Sequence, residues 1–149
     1  MFDNIAPRYD LLNRVLSLGI DRSWRKRAIR RLRDGKPQEI LDVATGTGDL
    51  AIEVARRLKP RRVVGLDISR EMLQVGREKI ARQELQNTIE MVHGDSENID
   101  FPDNTFDAIT VAFGVRNFEN LSAGLREMQR VLKPGGKLVV LEFSRPYSF

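Results

Sequence analysis

The residues best suited to chemistry lie in short polar groups that close apolar runs. Ile40-Leu-Asp-Val-Ala-Thr-Gly-Thr-Gly-Asp-Leu-Ala-Ile52 reads as a strand, a glycine turn and the start of an amphipathic helix. Gly46 and Gly48 permit a tight turn and a close backbone approach to a ligand, where a Cβ would obstruct it. The helix that follows offers unpaired N–H groups in its first turn, and Ala51 is small enough for close helix–strand packing. A second apolar run, Val63-Val-Gly-Leu-Asp67, ends in a carboxylate. It follows the glycine turn by about 20 residues, the spacing at which an acid accepts hydrogen bonds from both ribose hydroxyls of a nucleotide-like cofactor. Asp95 and Ser96 close a third run, and Phe113–Asn117 follows a fourth.

The elements that must position these groups alternate. Strands are expected at Glu39–Val43, Arg62–Asp67, Thr88–His93, Phe106–Ala112 and Lys137–Phe143. Helices are expected at Asp49–Leu58, at Arg70–Glu84 with Ser69 as its cap, and from about Ser122 to Leu132 with Leu121, Leu125, Met128 and Leu132 as apolar points. Strand and helix in alternation with short loops imply an α/β fold, a parallel doubly wound sheet of about five strands. Ligands of such sheets sit outside the carboxyl ends of the strands, so four consecutive strand ends converge on one cleft. Turn chemistry alone accounts for any one of these polar groups, since Asp, Ser and Gly are common in turns; it accounts poorly for all four together.

Ahead of the sheet lies a helical leader. A short helix after Pro7 carries Leu11, Leu12, Val15, Leu16 and Leu18, and Gly19 stops it. Asp21 can cap a second helix, Arg22–Leu32, in which Trp24, Ala28 and Leu32 repeat at i+4. Trp24 reads as a core anchor for it. The remaining positions are densely basic: Arg22, Arg25, Lys26, Arg27, Arg30, Arg31 and Arg33. Asp34-Gly-Lys-Pro37 is the expected hinge between the leader, residues 1–36, and the cofactor-binding part, residues 37–149.

Bulk composition narrows the classes. The 149 residues are 41% hydrophobic and 31% charged, an ordinary globular balance for one structural domain. With no cysteine there is no disulfide frame, thiolate nucleophile or Cys-ligated metal, and no metal is expected. No apolar stretch approaches the roughly 20 residues needed to span a bilayer, and Met1-Phe-Asp-Asn lacks the regions of a signal peptide. A cytoplasmic protein is expected. The net charge of +4 is concentrated in the basic helix, which reads first as a solvated face and second as a surface for anionic lipid headgroups on the inner face of a membrane. The one aromatic residue of that helix, Trp24, reads as a core anchor rather than a platform for stacking bases, so nucleic acid is not an expected partner. His93, the only histidine, sits at a strand end where packing and backbone bonding are the commoner explanation.

The acidic residues discriminate between cofactors. Gly46-x-Gly48-x-x-Ala51 also fits a hydride-transfer domain. Asp42 within the strand and Asp49 at the helix start are poorly placed for a pyrophosphate but well placed for a cationic ligand. A cofactor with adenosine, no phosphate, a sulfonium and an amino group suits such a loop, which describes S-adenosylmethionine. Asp42-Val-Ala-Thr-Gly-Thr-Gly48 resembles motif I of the class I S-adenosylmethionine-dependent methyltransferases, Gly65-Leu-Asp-Ile-Ser69 their acidic motif, and Leu132-Lys-Pro-Gly-Gly136 a further hallmark. Three stretches resemble the quinone-biosynthesis C-methyltransferases more narrowly: Phe2-Asp-Asn-Ile-Ala-Pro-Arg-Tyr-Asp10 with Asn13, Ala112-Phe-Gly-Val-Arg-Asn-Phe118, and Leu141-Glu-Phe-Ser144.

The resemblance implies a Rossmann-like domain that methylates a ring carbon of a lipophilic quinol and leaves S-adenosylhomocysteine. It implies that Gly46, Thr47 and Gly48, with Asp42 and Thr45 of the same motif, hold the methionine part of the cofactor. Asp67 would hold the ribose, Ile68 and Met72 the adenine face, Asp95 the adenine amino group and Ser96 the ring edge; Ala112 stands where some relatives carry serine. Arg116 is the candidate to stabilise a phenolate, Asn117 to orient it or the ring oxygen, and Tyr9 to close the pocket. The remaining readings are a methyltransferase for another small phenolic or lipophilic acceptor, and a truncated module that binds the cofactor without turnover. The resembled family continues past the fifth strand with a substrate-covering segment and an antiparallel strand pair. On that expectation the fifth strand here is an uncovered edge, left by truncation or covered through a homodimer or swap.

Overall fold

The computed structural model describes residues 20–112 and 118–141, with side chains from residue 23 onward. The leader before residue 20, the Asp21 side chain and residues 113–117 therefore lie outside the described part. The elements are α1 (Ile20–Arg33), β1 (Glu39–Val43), α2 (Asp49–Leu58), β2 (Arg62–Asp67), α3 (Arg70–Arg82), β3 (Ile89–His93), β4 (Phe106–Ala112), α4 (Leu121–Val131) and β5 (Leu132–Leu141). The five strands form one sheet in the order β3-β2-β1-β4-β5. Every pairing in it is parallel.

The central strands β1, β2 and β4 are apolar along most of their length because both faces of the sheet are covered there. Ile40, Val63, Met91 and Ala108 point to one side, where they pack with Ile29 and Leu32 of α1, Leu50, Ala51, Ile52, Val54 and Ala55 of α2, and Leu73 and Ile80 of α3. Leu41, Val43, Val64, Leu66, Ile109 and Val111 point to the other, against Met128 and Val131 of α4. Each such side chain, taken out of water, contributes about 1.5–3 kcal/mol before the entropy of ordering it is counted. The two-residue alternation then puts Asp42, Gly65 and Thr110, which are paired in register, on the face shared by α1, α2 and α3, since their neighbours along each strand face α4.

Three elements differ from the sequence expectation in an informative way. The helix α3 ends at Arg82, two residues early, as the chain turns through Glu84 at φ +57°. The buried face of α4 is Gly124, Met128 and Val131, so Leu121 and Leu125 are exposed at 45% and 40% instead of packed. Gly124 sets that rotation, because a Cβ there would lie 2.5 Å from the Phe118 ring. The strand β5 begins at Leu132, paired with Phe106, and resumes with Lys137 opposite Ala108 after a register shift. Gly135 takes φ +81° in the intervening turn, and a Cβ on Gly136 would meet the Asp107 carbonyl oxygen at 2.7 Å. The Lys-Pro-Gly-Gly stretch is thus a bulge that re-enters the sheet, and Phe143 lies outside the described residues.

At the amino ends of the strands, Asp107 Oδ2 accepts the N–H groups of Gln38 and Glu39, each at 2.8 Å, and its Oδ1 accepts Lys133 Nζ at 3.0 Å. Burial would raise this carboxyl, but the two backbone donors and Lys133 outweigh it and hold it below its ordinary value. Replacement Asp107→Ala leaves two backbone donors without their acceptor, so we expect a loss of about 1–3 kcal/mol in urea unfolding at pH 7. Because the native value is depressed, the carboxylate's stabilisation is present above pH 4 or so and is lost as pH falls through the native value, so the deficit of the variant should shrink in acid. An equal deficit at neutral and strongly acidic pH would contradict this account.

Candidate functional site

At the opposite, carboxyl end of the sheet, β1 passes through Ala44 (φ +55°), Gly46 (φ +59°) and Gly48 (φ +86°) into α2. Gly48 is the N-cap of α2 and, having no side chain, supplies no side-chain cap. The Thr45 N–H donates to the Leu66 carbonyl at 2.9 Å and the Gly48 N–H to the Thr45 carbonyl at 2.9 Å. Next door, the buried Asp67 accepts the Gly46 N–H on Oδ2 at 2.8 Å and the Ser69 N–H on Oδ1 at 2.9 Å. The Ser69 hydroxyl accepts the Met72 N–H at 3.2 Å and caps α3 as expected. One carboxylate therefore fastens the first glycine of the turn to the start of the next helix.

Asp42 lies beneath the turn and is 3% exposed. Thr45 Oγ1 donates to its Oδ2 and Thr110 Oγ1 to its Oδ1, both at 2.7 Å. Burial pushes the Asp42 carboxyl up from 3.8 to about 6; the two hydroxyls pull it down and the charge of Asp67 pushes it further up. Thr45 and Asp42 thus bond to each other, and their place is below the turn. Thr47 Oγ1 accepts Lys79 Nζ at 2.9 Å, and Asp49 Oδ1 accepts the same ammonium at 2.7 Å. Asp49, expected to favour a cationic ligand, is instead neutralised by a cation of the chain itself.

The other expected positions fall around this centre. Ile68, directly after Asp67, is 69% exposed, an unusual place for a large aliphatic side chain. Met72 is buried, and a Cβ on Gly46 would lie 3.9 Å from its Sδ. Asp95 and Ser96 follow β3, the neighbour of β2, at the same end of the sheet; Asp95 Oδ1 accepts the Glu97 N–H at 2.9 Å in a local turn. Ala112 ends β4, half-buried. The His93 ring nitrogen Nε2 bonds the Ile68 carbonyl at 3.1 Å. Tyr9, Arg116 and Asn117 lie outside the described residues.

Three participants escaped the sequence reading. Thr110 is opposite Asp42 in register, and the signal for it was one hydroxyl residue in an otherwise apolar strand centre. Met91 fills the space under the turn: a Cβ on Gly48, Gly65 or Gly76 would lie 3.2, 2.7 or 2.6 Å from its Sδ or Cε atoms. The signal for Lys79 was Gly76, a glycine inside a helix one turn earlier.

A parallel sheet in this order, with a glycine turn after β1 and an acid at the end of β2, defines a Rossmann-like fold of the class I methyltransferase kind. Solved structures agree with it. A candidate S-adenosyl-L-methionine-dependent methyltransferase from Methanococcus maripaludis superimposes with a TM-score of 0.83 at 29% identity, over 93% of this chain and 62% of that one. A candidate methyltransferase from Bacillus halodurans gives 0.75 at 31% identity, over 85% of this chain and 53% of that one. The chain belongs to the ubiE/COQ5 methyltransferase family, whose model matches residues 1–149. A demethylmenaquinone methyltransferase of Bacteroides fragilis is 57% identical over 149 residues, which are 100% of this chain and 61% of that protein. A ubiquinone/menaquinone biosynthesis C-methyltransferase of Geotalea daltonii is 53% identical over 98% of this chain and 63% of its own length. The chain thus spans about three fifths of these relatives.

The raised Asp42 carboxyl has a direct consequence for folding. The folded chain keeps a proton on Asp42 between about pH 4 and about pH 6 that the unfolded chain has lost. Its contribution to stability therefore falls as pH rises through that window and stays low above it, by about 3 kcal/mol for a shift of this size. Asp42→Asn removes the titration, so the stability of the variant relative to the parent should improve by about 2–3 kcal/mol between pH 4 and pH 7 in urea melts. A pH-independent difference would show that Asp42 titrates as an ordinary carboxyl.

Proposed function

We propose that this protein transfers a methyl group from S-adenosylmethionine to a ring carbon of a prenylated quinol, demethylmenaquinol or its ubiquinone-pathway counterpart. The observation that carries the cofactor half is the Asp67 carboxylate held 2.8 Å from the Gly46 N–H, which brings the ribose acceptor and the glycine turn to one point. A carboxylate oxygen has more than one acceptor site, so Asp67 can keep its backbone donors and accept ribose hydroxyls as well. The exposed Ile68 offers an apolar surface for adenine, with Met72 behind the turn. Asp95 and Ser96 supply polar groups for the ring edge, and Ala112 closes the end of β4. Gly46, Thr47 and Gly48 leave the methionine part room and backbone groups, with Asp42 and Thr45 bracing them from below. The family membership and the names of the relatives support the quinol as acceptor.

The cofactor supplies an activated methyl group when bound, and the chain's task is to align the acceptor carbon in line with it. Arg116 stabilises negative charge on the neighbouring ring oxygen, which raises electron density at that carbon. Asn117 orients Arg116 or the ring oxygen, and Tyr9, in the leader formed by residues 1–36, closes the pocket. These three roles rest on the family resemblance. Exposed Lys26, Arg27, Arg30, Arg31 and Arg33 on α1 suit contact with the anionic inner face of a membrane, where long-tailed quinols reside. Among the described residues no helix is long and apolar enough to cross one. The outer strand β5, with Leu138 and Val140 exposed at 37% and 43%, is the place for a homodimer contact.

Calorimetric titration with S-adenosylhomocysteine should give micromolar binding, weakened about ten- to hundredfold by Asp67→Asn through loss of the charged acceptor. Binding unaffected by that substitution would displace the cofactor from this cleft. In a quinol methylation assay, Arg116→Ala should lower turnover about a hundredfold while leaving the affinity for S-adenosylhomocysteine intact. Full turnover would remove Arg116 from the chemistry.

A further inference from the structure

One face of α3 follows the glycine turn residue by residue. Met72 stands beside Gly46, where a Cβ would be 3.9 Å from its Sδ. One turn along, Gly76 faces Thr47 so closely that a Cβ would lie 2.9 Å from the Thr47 carbonyl oxygen and 3.2 Å from its carbon. Three residues further, Lys79 Nζ donates to Thr47 Oγ1 at 2.9 Å and to Asp49 Oδ1 at 2.7 Å. Positions three and four apart share one side of a helix, so 72, 76 and 79 form a single stripe against 46, 47 and 49.

Two features mark this stripe as more than ordinary packing. A glycine inside a helix costs about 1 kcal/mol relative to alanine, and at Gly76 the lost side chain is what admits the backbone of the turn. The Lys79 side chain is only 14% exposed, although an ammonium so sheltered needs strong partners to offset its desolvation. It finds them in two residues on either side of Gly48, the last of the turn and the first of α2. The ammonium is therefore a clamp across a glycine whose own backbone imposes little restraint.

We propose that Lys79 is a positioning residue for cofactor binding: from the far side of the turn it fixes Thr47 and Asp49, and so holds Gly46–Gly48 in the conformation the cofactor requires. The proposal rests on S-adenosylmethionine being the cofactor. Its local part, that Lys79 immobilises the turn, can be tested without any ligand. Lys79 touches neither cofactor nor acceptor in this scheme; its effect passes through the backbone of the turn.

The test measures S-adenosylhomocysteine affinity by calorimetry, thermal midpoint, and amide hydrogen exchange over residues 46–50 of the 149-residue chain. Lys79→Met should weaken binding about tenfold or more, as expected for a displaced loop, and speed exchange at 46–50 while the exchange of the β1, β2 and β4 core stays slow. Lys79→Arg, which keeps a cation able to reach both acceptors, should recover most of the affinity. Parental affinity and parental exchange in Lys79→Met would overturn the proposal, as would an affinity loss that Lys79→Arg does not relieve. If Lys79→Met does not fold, Asp49→Asn and Asp49→Leu decide, since both remove the charge and only asparagine keeps an oxygen that can accept from Lys79. Asparagine should loosen the turn and weaken binding less than leucine, whereas equal effects of the two would count against the clamp. A parent chain that binds no S-adenosylhomocysteine while Lys79→Met still loosens the turn would defeat the cofactor reading and leave the clamp standing.

Discussion

The carboxylate of Asp67 is the constraint on which the carboxyl end of the sheet depends. It accepts one backbone N–H from the glycine turn after β1 and another from the start of α3. Two crossover connections that would otherwise move independently are thereby referred to a single rigid strand end. The carboxylate owes its place to parallel pairing: Asp67 is opposite His93 on one side, and Leu66 opposite Val43 on the other. A one-residue slip of β2 would turn the acid to the α4 face and bring Leu66 to the turn. Gly65 closes that slip, because a Cβ at its place would lie 2.7 Å from Met91 Sδ and 2.9 Å from Thr45 Oγ1, so neither Val64 nor Leu66 can take it.

A second constraint is steric, and it centres on Met91. Its thioether occupies the volume that side chains on Gly48, Gly65 and Gly76 would claim. These glycines come from a turn, a strand and a helix, and their shared neighbour explains why a flexible unbranched residue stands there. Gly65 also lies within 2.9 Å, measured from a notional Cβ, of Thr45 Oγ1, the hydroxyl that donates to Asp42. Packing under the turn and the hydrogen bonds that brace it are therefore the same set of contacts. A side chain added at Gly65 would act on both at once.

Much of this was legible in the sequence because it depends on short-range pattern. The bounds of β1, α2, β2 and β4 follow from apolar runs closed by Gly, Asp or Pro, and Ser69 announces itself as a cap by its type and place. What the sequence withheld were contacts between elements. The rotation of α4 depends on the ring of Phe118 lying over Gly124, a relation that a helical periodicity centred on Leu121 and Leu125 does not contain. The bulge before Lys137 comes from Leu132 pairing ahead of the glycine pair. The partnership of Asp49 with Lys79 spans 30 residues, so Asp49 read alone looked like a charge waiting for a ligand.

That partnership changes the electrostatics of the cleft. Of the three acids near the turn, Asp49 is matched by Lys79, and Asp42 is buried with a carboxyl that holds its proton up to about pH 6. The negative charge that Asp42 does carry at neutral pH is shielded by two hydroxyl donors below the turn. The structure thus concentrates its usable acceptor at Asp67, beside backbone donors of the turn and an exposed Ile68. Such a surface suits a ligand with hydroxyls to donate, a flat apolar ring and no phosphate. A dinucleotide would bring a pyrophosphate to a turn that has carboxylates beneath and beside it, and the glycine spacing alone would not have told the two apart.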